Sequence, residues 1–118
     1  ICVTTFYQEG ADADFDANIK AWMNSDSTAL ANNGGNDELA AVTAMGYDAY
    51  YVALEALKAA GSTDPAEVLK VLPSVTYTGV TGAISFNETG DANRTSAFVK
   101  RCNTETGKWD FVTEATVG

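Results

Sequence analysis

Apolar positions along the 118-residue chain change period several times, and each change predicts an element. The opening run ICVTTFY is β-branched and aromatic, which predicts a buried or half-buried strand ending near Tyr7. A polar QEGADAD segment follows. Phe15, Ile19, Trp22 and Met23 then recur at i, i+4, i+7 and i+8, the stripe of an amphipathic helix, and Asp12, Asp14 and Asp16 cluster where its dipole favours negative charge. Asn24 to Gly35 is small and polar and predicts a loop. Asn36 is suited to cap a long helix with Asp37 and Glu38 in its first turn. Leu39, Val42, Gly46, Tyr50, Leu54 and Leu57 lie at helical spacing until Gly61, giving about six turns. Tyr47, Tyr51 and the alanines widen its apolar surface, so the helix is expected to pack on two sides.

After GST, Asp64 is placed to cap a second helix, with Pro65 at its first position and Glu67 completing a capping box. Val68, Leu69 and Leu72 are expected to face inward until Pro73. Strands are predicted at 82–86, 95–102 and 108–113, the last two joined by a hairpin turn, NTETGK, containing Gly107. Before the first of these, Gly79 and Gly82 free the backbone for tight or close-packed conformations, and Asn87, Gly90 and Asp91 supply turn chemistry after it. Strands and helices interleave with no internal repeat, so the fold class is α/β.

With 46% hydrophobic and 19% charged residues and no apolar run long enough to span a bilayer, the composition fits a globular domain with one modest core. A net charge of -9, with seven scattered Lys and Arg, argues against a nucleic-acid partner and against a basic membrane-surface helix. The chain begins at Ile1 without Met or leader, which reads as a start within a longer protein.

The chain has no histidine, which excludes Ser-His-Asp and Cys-His catalysis within it, and the two cysteines form no CxxC motif for zinc. Nothing marks any two of the sixteen acids as a catalytic pair, so an unrelated enzyme with a carboxylate site is a remote alternative. DADFDAN superficially resembles an EF-hand loop, but Ala17 stands at the glycine position and Met23 at that of the bidentate Glu, so no calcium or other cofactor is expected.

The ordered set of Gly46-Tyr47-Asp48-Ala49 inside an Ala-rich helix, Gly79-Val80-Thr81-Gly82 before a short strand ending in Phe86, Gly90-Asp91 after it, and Gly107-Lys108-Trp109 near the end carries a resemblance. With VTTFY ahead of them, these elements resemble the C-terminal third of type 1 periplasmic solute-binding proteins, the branched-chain amino-acid-binding family of ABC importers. The match runs through essentially the whole chain; no single element is specific, but their order is.

The resemblance implies part of a two-lobed fold, with residues 1–118 contributing to both lobes and the hinge. The strand after the paired glycines would join the first lobe's sheet, and Gly90-Asp91 would lead back across the hinge. Non-catalytic binding of an amino acid or similar solute is implied, in a periplasmic or extracellular compartment, with delivery to the membrane subunits of an ABC transporter; the full-length protein could carry a lipid anchor. By position in the motif, Thr43, Ala44 and Tyr47 approach the ligand cleft, and Phe6 and Tyr7 sit at the hinge. Tyr47 fits a core aromatic equally well. Within the resemblance, the small Ala44 suggests room for a bulkier or different ligand, which argues against simple leucine specificity. Cys2 and Cys102 would lie on neighbouring strands, and export would permit a disulfide; two free thiols are the alternative. Unpaired strand edges are expected to make the isolated chain self-associate. The alternative function is the ligand-sensing ectodomain of a receptor with the same fold, in which Asn87-Glu88-Thr89 and Asn93-Arg94-Thr95 would be glycan acceptors.

Overall fold

The computed structural model describes residues 1–117. Strands β1 (Cys2–Thr5), β5 (Ser96–Asn103) and β6 (Lys108–Thr116) form an antiparallel sheet in the order β1-β5-β6. The chain between them folds as a separate body. It contains helices α1 (Ala13–Ser25), α2 (Ser27–Asn32), α3 (Ala41–Ala60) and α4 (Pro65–Val71), and a small antiparallel sheet of β2 (Tyr77–Gly79), β3 (Gly82–Phe86) and β4 (Ala92–Asn93). Among the described residues the chain crosses between sheet and helical body twice, from Phe6 to Asp12 and at Arg94–Thr95.

Local chemistry explains the helix boundaries, including those the pattern misplaced. The Asp12 carboxylate accepts the Phe15 N–H at 2.9 Å and starts α1. Phe15 and Met23 are buried, with Ile19 packed between, while Trp22 falls off the stripe and is 57% exposed. Within the expected loop, Asp26 accepts the N–H groups of Thr28 and Ala29 and so caps α2. The long helix starts at Ala41, later than Asn36. The Asn36 Oδ1 accepts the Glu38 N–H at 2.9 Å, and Asn33 Nδ2 donates to the carbonyls of Asn36 and Glu38, which holds this segment out of the helix.

The buried face of α3 is Ala44, Asp48, Val52 and Ala56, not the predicted one: Val42 and Tyr50 face solvent. Small side chains let neighbouring elements approach closely, which favours this face over the one with more apolar area. Gly61, at φ 59°, ends the helix in the left-handed conformation that glycine adopts without steric cost. Asp64 caps α4 through the Ala66 N–H, but the capping box does not close: the Asp64 N–H donates to Ser62 Oγ, and Glu67 pairs with Lys70. Leu69, expected inside, is exposed.

The core has two clusters joined by α3. Tyr7, Phe15, Met23, Leu39 and Ala44 form one; Val52, Ala56, Val75 and Ile84 form the other. The outer sheet contributes to neither, and β6 is exposed along its whole length. The accessible surface, 7722 Å², exceeds the roughly 6100 Å² expected of a compact monomer of this mass. The radius of gyration, 16.5 Å, exceeds the expected value of about 13.5 Å in the same direction.

The disulfide expected between Cys2 and Cys102 is not formed; both are free thiols. Their strands do pair, but Cys2 lies opposite Arg101, and the Cys102 N–H donates to the Ile1 carbonyl. A one-residue offset in an antiparallel pair sends the two side chains to opposite faces of the sheet. Alkylation of the unreduced, denatured protein is therefore expected to add two adducts by intact mass; a species with no adduct until reductant is added would show the bridge.

Candidate functional site

A polar cleft of about 810 Å³ separates the outer sheet from the helical body. Val3 and Thr5 of β1 and Lys100 of β5 form one wall; Leu39 and Ala40, just ahead of α3, and Ala41, its first residue, form the other. That second wall follows directly on the segment that Asn33 and Asn36 hold out of the helix. It is further tied by Glu9, whose carboxylate pairs with Lys20 and accepts the Leu39 N–H at 3.3 Å. Burial pushes the Glu9 carboxyl up, but the Lys20 ammonium and the Leu39 N–H outweigh it and hold the group below the usual carboxylate range. Asp37, Glu38 and Lys108 also line the cleft, so it presents both signs of charge. Ala40 supplies no side-chain cap to α3.

Beside the cleft lies a four-residue constellation at the crossings. Asp48 is the one acid on the buried face of α3, a turn from Ala44 on one side and from Val52 on the other. Its carboxylate is buried and accepts the Val80 N–H at 2.9 Å, the Thr81 N–H at 2.8 Å and the Thr81 hydroxyl at 2.5 Å. Two backbone amides and a hydroxyl satisfy a buried charge in the turn between β2 and β3. The approach is so close that a Cβ built on Gly79 would overlap the Asp48 carboxylate. Arg94 donates through Nη1 to the Thr81 carbonyl at 3.0 Å and to its hydroxyl at 2.8 Å, and its guanidinium lies over the Phe6 ring, 5.4 Å from the centroid. Phe6, Asp12, Val80, Thr81, Phe98 and Glu114 line a recess of about 270 Å³ between this turn and the outer sheet.

A second buried acid anchors the first crossing. Asp16 accepts the Tyr7 hydroxyl at 2.5 Å and the Gly10 N–H at 2.6 Å. Burial, with Asp16 adding, pushes the Tyr7 hydroxyl well above the usual tyrosine range. From Tyr7 a run of rings continues edge-to-face to Phe15 and Tyr47, then to Tyr51 and the stacked Tyr77. The Tyr51 hydroxyl, 3.5 Å away, with burial adding, pushes the Tyr47 hydroxyl up to about 12.

A family model described as periplasmic binding protein matches residues 1–107. The chain belongs to that family. Among solved structures it is similar to the leucine-binding protein LivK of Thermotoga maritima, at 28% identity and a TM-score of 0.69, over 98% of this chain and 31% of that one. No curated protein sequence matches it. Thus this periplasmic binding protein chain spans about a third of the length of that solved structure, and its α/β architecture is that of the family. No helix among the described residues is long and apolar enough to cross a membrane.

The residues expected at the cleft are distributed differently from the motif's implication. Tyr7 and Ala44 meet in the first core cluster; Ala44 has no exposed surface, so the room it suggested for a bulkier ligand is filled by packing. Thr43 and Tyr47 lie on the flank of α3, half-buried and partly exposed, with Tyr47 against Phe15. Phe6 lines the recess at the crossings. The cleft-lining Leu39 to Ala41 were missed because the late start of α3 puts the cleft wall at the N-terminal end of the helix and the two residues before it. The link from Asp48 through Thr81 to Arg94 was missed. An acid at i+4 from Ala44 and i−4 from Val52 was the available signal, since an acid on a buried helical face requires partners.

Proposed function

We propose that this chain is part of a two-lobed extracytoplasmic solute-binding protein, supplying a wall of the ligand cleft and both crossings between lobes. The observation that supports it best is the division into a helical body and an outer sheet, joined by two crossings and separated by a polar cleft. Two bodies that close on a solute contacting both is the arrangement in which ligand binding shifts the balance toward a closed state. An amino acid or similar small zwitterion is the proposed ligand class. Both signs of charge at the cleft, and the likeness to a leucine-binding protein, support that class. Phe6, Thr43 and Tyr47 are proposed to complete the wall from the crossing and the α3 flank, with Tyr7 and Ala44 packed behind them. Delivery to the membrane subunits of an ABC transporter in the periplasm or extracellular space belongs to the same proposal, as does binding without catalysis.

The test is thermal shift and calorimetry of the full-length protein carrying this chain against the common amino acids. A ligand at 100 times its Kd is expected to stabilise by about 2.7 kcal/mol. No response to any amino acid, with a response to a sugar or peptide, would overturn the ligand class. The chain on its own is expected to give no saturable heat, because only part of a cleft is present; micromolar binding by it would contradict the shared-cleft reading. With both edges of the outer sheet, β1 and β6, unpaired among the described residues, the isolated chain is also expected to self-associate. Light scattering at tens of micromolar reads this, and a compact monomer would count against it.

A further inference from the structure

We propose that Arg94 is a positioning residue that couples the two crossings, so that they turn together and set the solute-free angle between the outer sheet and the helical body. Phe6 is the first residue after β1, and Arg94 lies between β4 and β5, so each belongs to one crossing. Independent crossings would let the sheet swing by changes of a few backbone dihedrals in either one. Here they touch: the Arg94 guanidinium lies over the Phe6 ring. A planar cation on an aromatic face has an orientation as well as a distance, so it resists sliding of one crossing past the other.

The contact is also anchored. Arg94 is fixed to Thr81 by two hydrogen bonds from Nη1, to the carbonyl and the hydroxyl. Thr81 in turn gives its N–H and hydroxyl to Asp48, on the buried face of α3. The Thr81 hydroxyl therefore accepts from the cation and donates to the carboxylate, so that one side chain links Arg94 to the helix. The path runs from α3 through the β2–β3 turn and the second crossing to the first. Among the described residues the ion pair between the bodies, Lys108 with Glu38 at 3.8 Å, is exposed at both ends. Solvent and salt screen such a pair, and it holds an angle weakly. The proposal concerns the mechanics of the crossings and holds for any solute.

Spin labels at Ala59→Cys, at the end of α3, and Glu105→Cys, at the tip of the β5–β6 hairpin, report the angle in the solute-free full-length protein carrying this chain, with Cys2→Ser and Cys102→Ser. With Arg94 intact, the distance distribution between labels is expected to be a single narrow peak. Arg94→Ala is expected to broaden or split it while the far-UV circular dichroism is unchanged. Arg94→Lys, which keeps the charge without the plane, is expected to remain broad. Phe6→Leu separates the coupling from the anchoring, since it leaves the Thr81 bonds in place; it is expected to broaden the peak too. An Arg94→Ala distribution superimposable on the parent would overturn the proposal. A narrow peak in Phe6→Leu beside a broad one in Arg94→Ala would overturn the coupling of the crossings.

Discussion

Replacing Gly79 by alanine is expected to lower the unfolding free energy by about 3–5 kcal/mol, among the largest effects of any single methyl group in this chain. The backbone dihedrals are not the reason, since Gly79 is not among the glycines with positive φ. The added Cβ would occupy the space of the Asp48 carboxylate. Either the β2–β3 turn moves away from α3 or Asp48 leaves the Val80 and Thr81 N–H groups, and both routes break charge-assisted hydrogen bonds in a buried site. Urea unfolding followed by far-UV circular dichroism measures the loss. A change below about 1 kcal/mol would mean that the close approach is not maintained in solution.

Asp48→Ala attacks the same junction from the helix side, and the expected loss is again about 3–5 kcal/mol. Truncation leaves the two turn N–H groups and the Thr81 hydroxyl without their acceptor, and leaves Arg94 hydrogen-bonded to a turn that is no longer held. Asp48→Asn preserves volume but replaces one acceptor oxygen with a donor facing an N–H, so its loss is expected to be smaller, about 1.5–3 kcal/mol. The double variant Gly79→Ala, Asp48→Ala tests the shared cause. With the carboxylate gone, the new methyl has space, and the combined loss is expected to fall short of the sum by more than about 1 kcal/mol. Strict additivity would show that Gly79 and Asp48 are not a steric pair.

The sequence carried the elements better than it carried their faces. Gly61, Asp64 with Pro65, and Gly107 punctuate the chain where capping and turn chemistry place them, and the hairpin strands follow. Three elements escaped the pattern for local reasons. The helix α2 is short and rests on the Asp26 cap rather than on periodicity. The three-residue β2 and two-residue β4 are too brief to show alternation. The face of α3 was misjudged because hydrophobic size points to Val42 and Tyr50, whereas packing selected the small residues and an acid whose partners lie more than thirty positions away. The same long-range dependence hid the site. Leu39 to Ala41 reach the cleft because asparagine side chains hold the segment before them out of the helix, and Cys2 misses Cys102 by one step of register. Neither is encoded in a local run.

The exposure of both tryptophans has a consequence for how the chain can be observed. Trp22 is 57% and Trp109 45% open to solvent, so indole emission in the folded state already reports a wet environment and changes little in wavelength on unfolding. The rings from Tyr7 through Phe15 and Tyr47 to Tyr77 are instead held in fixed mutual orientations across the first core cluster and α3. Their near-ultraviolet dichroism at tyrosine wavelengths is the optical signal that disappears when the helical body loses its packing.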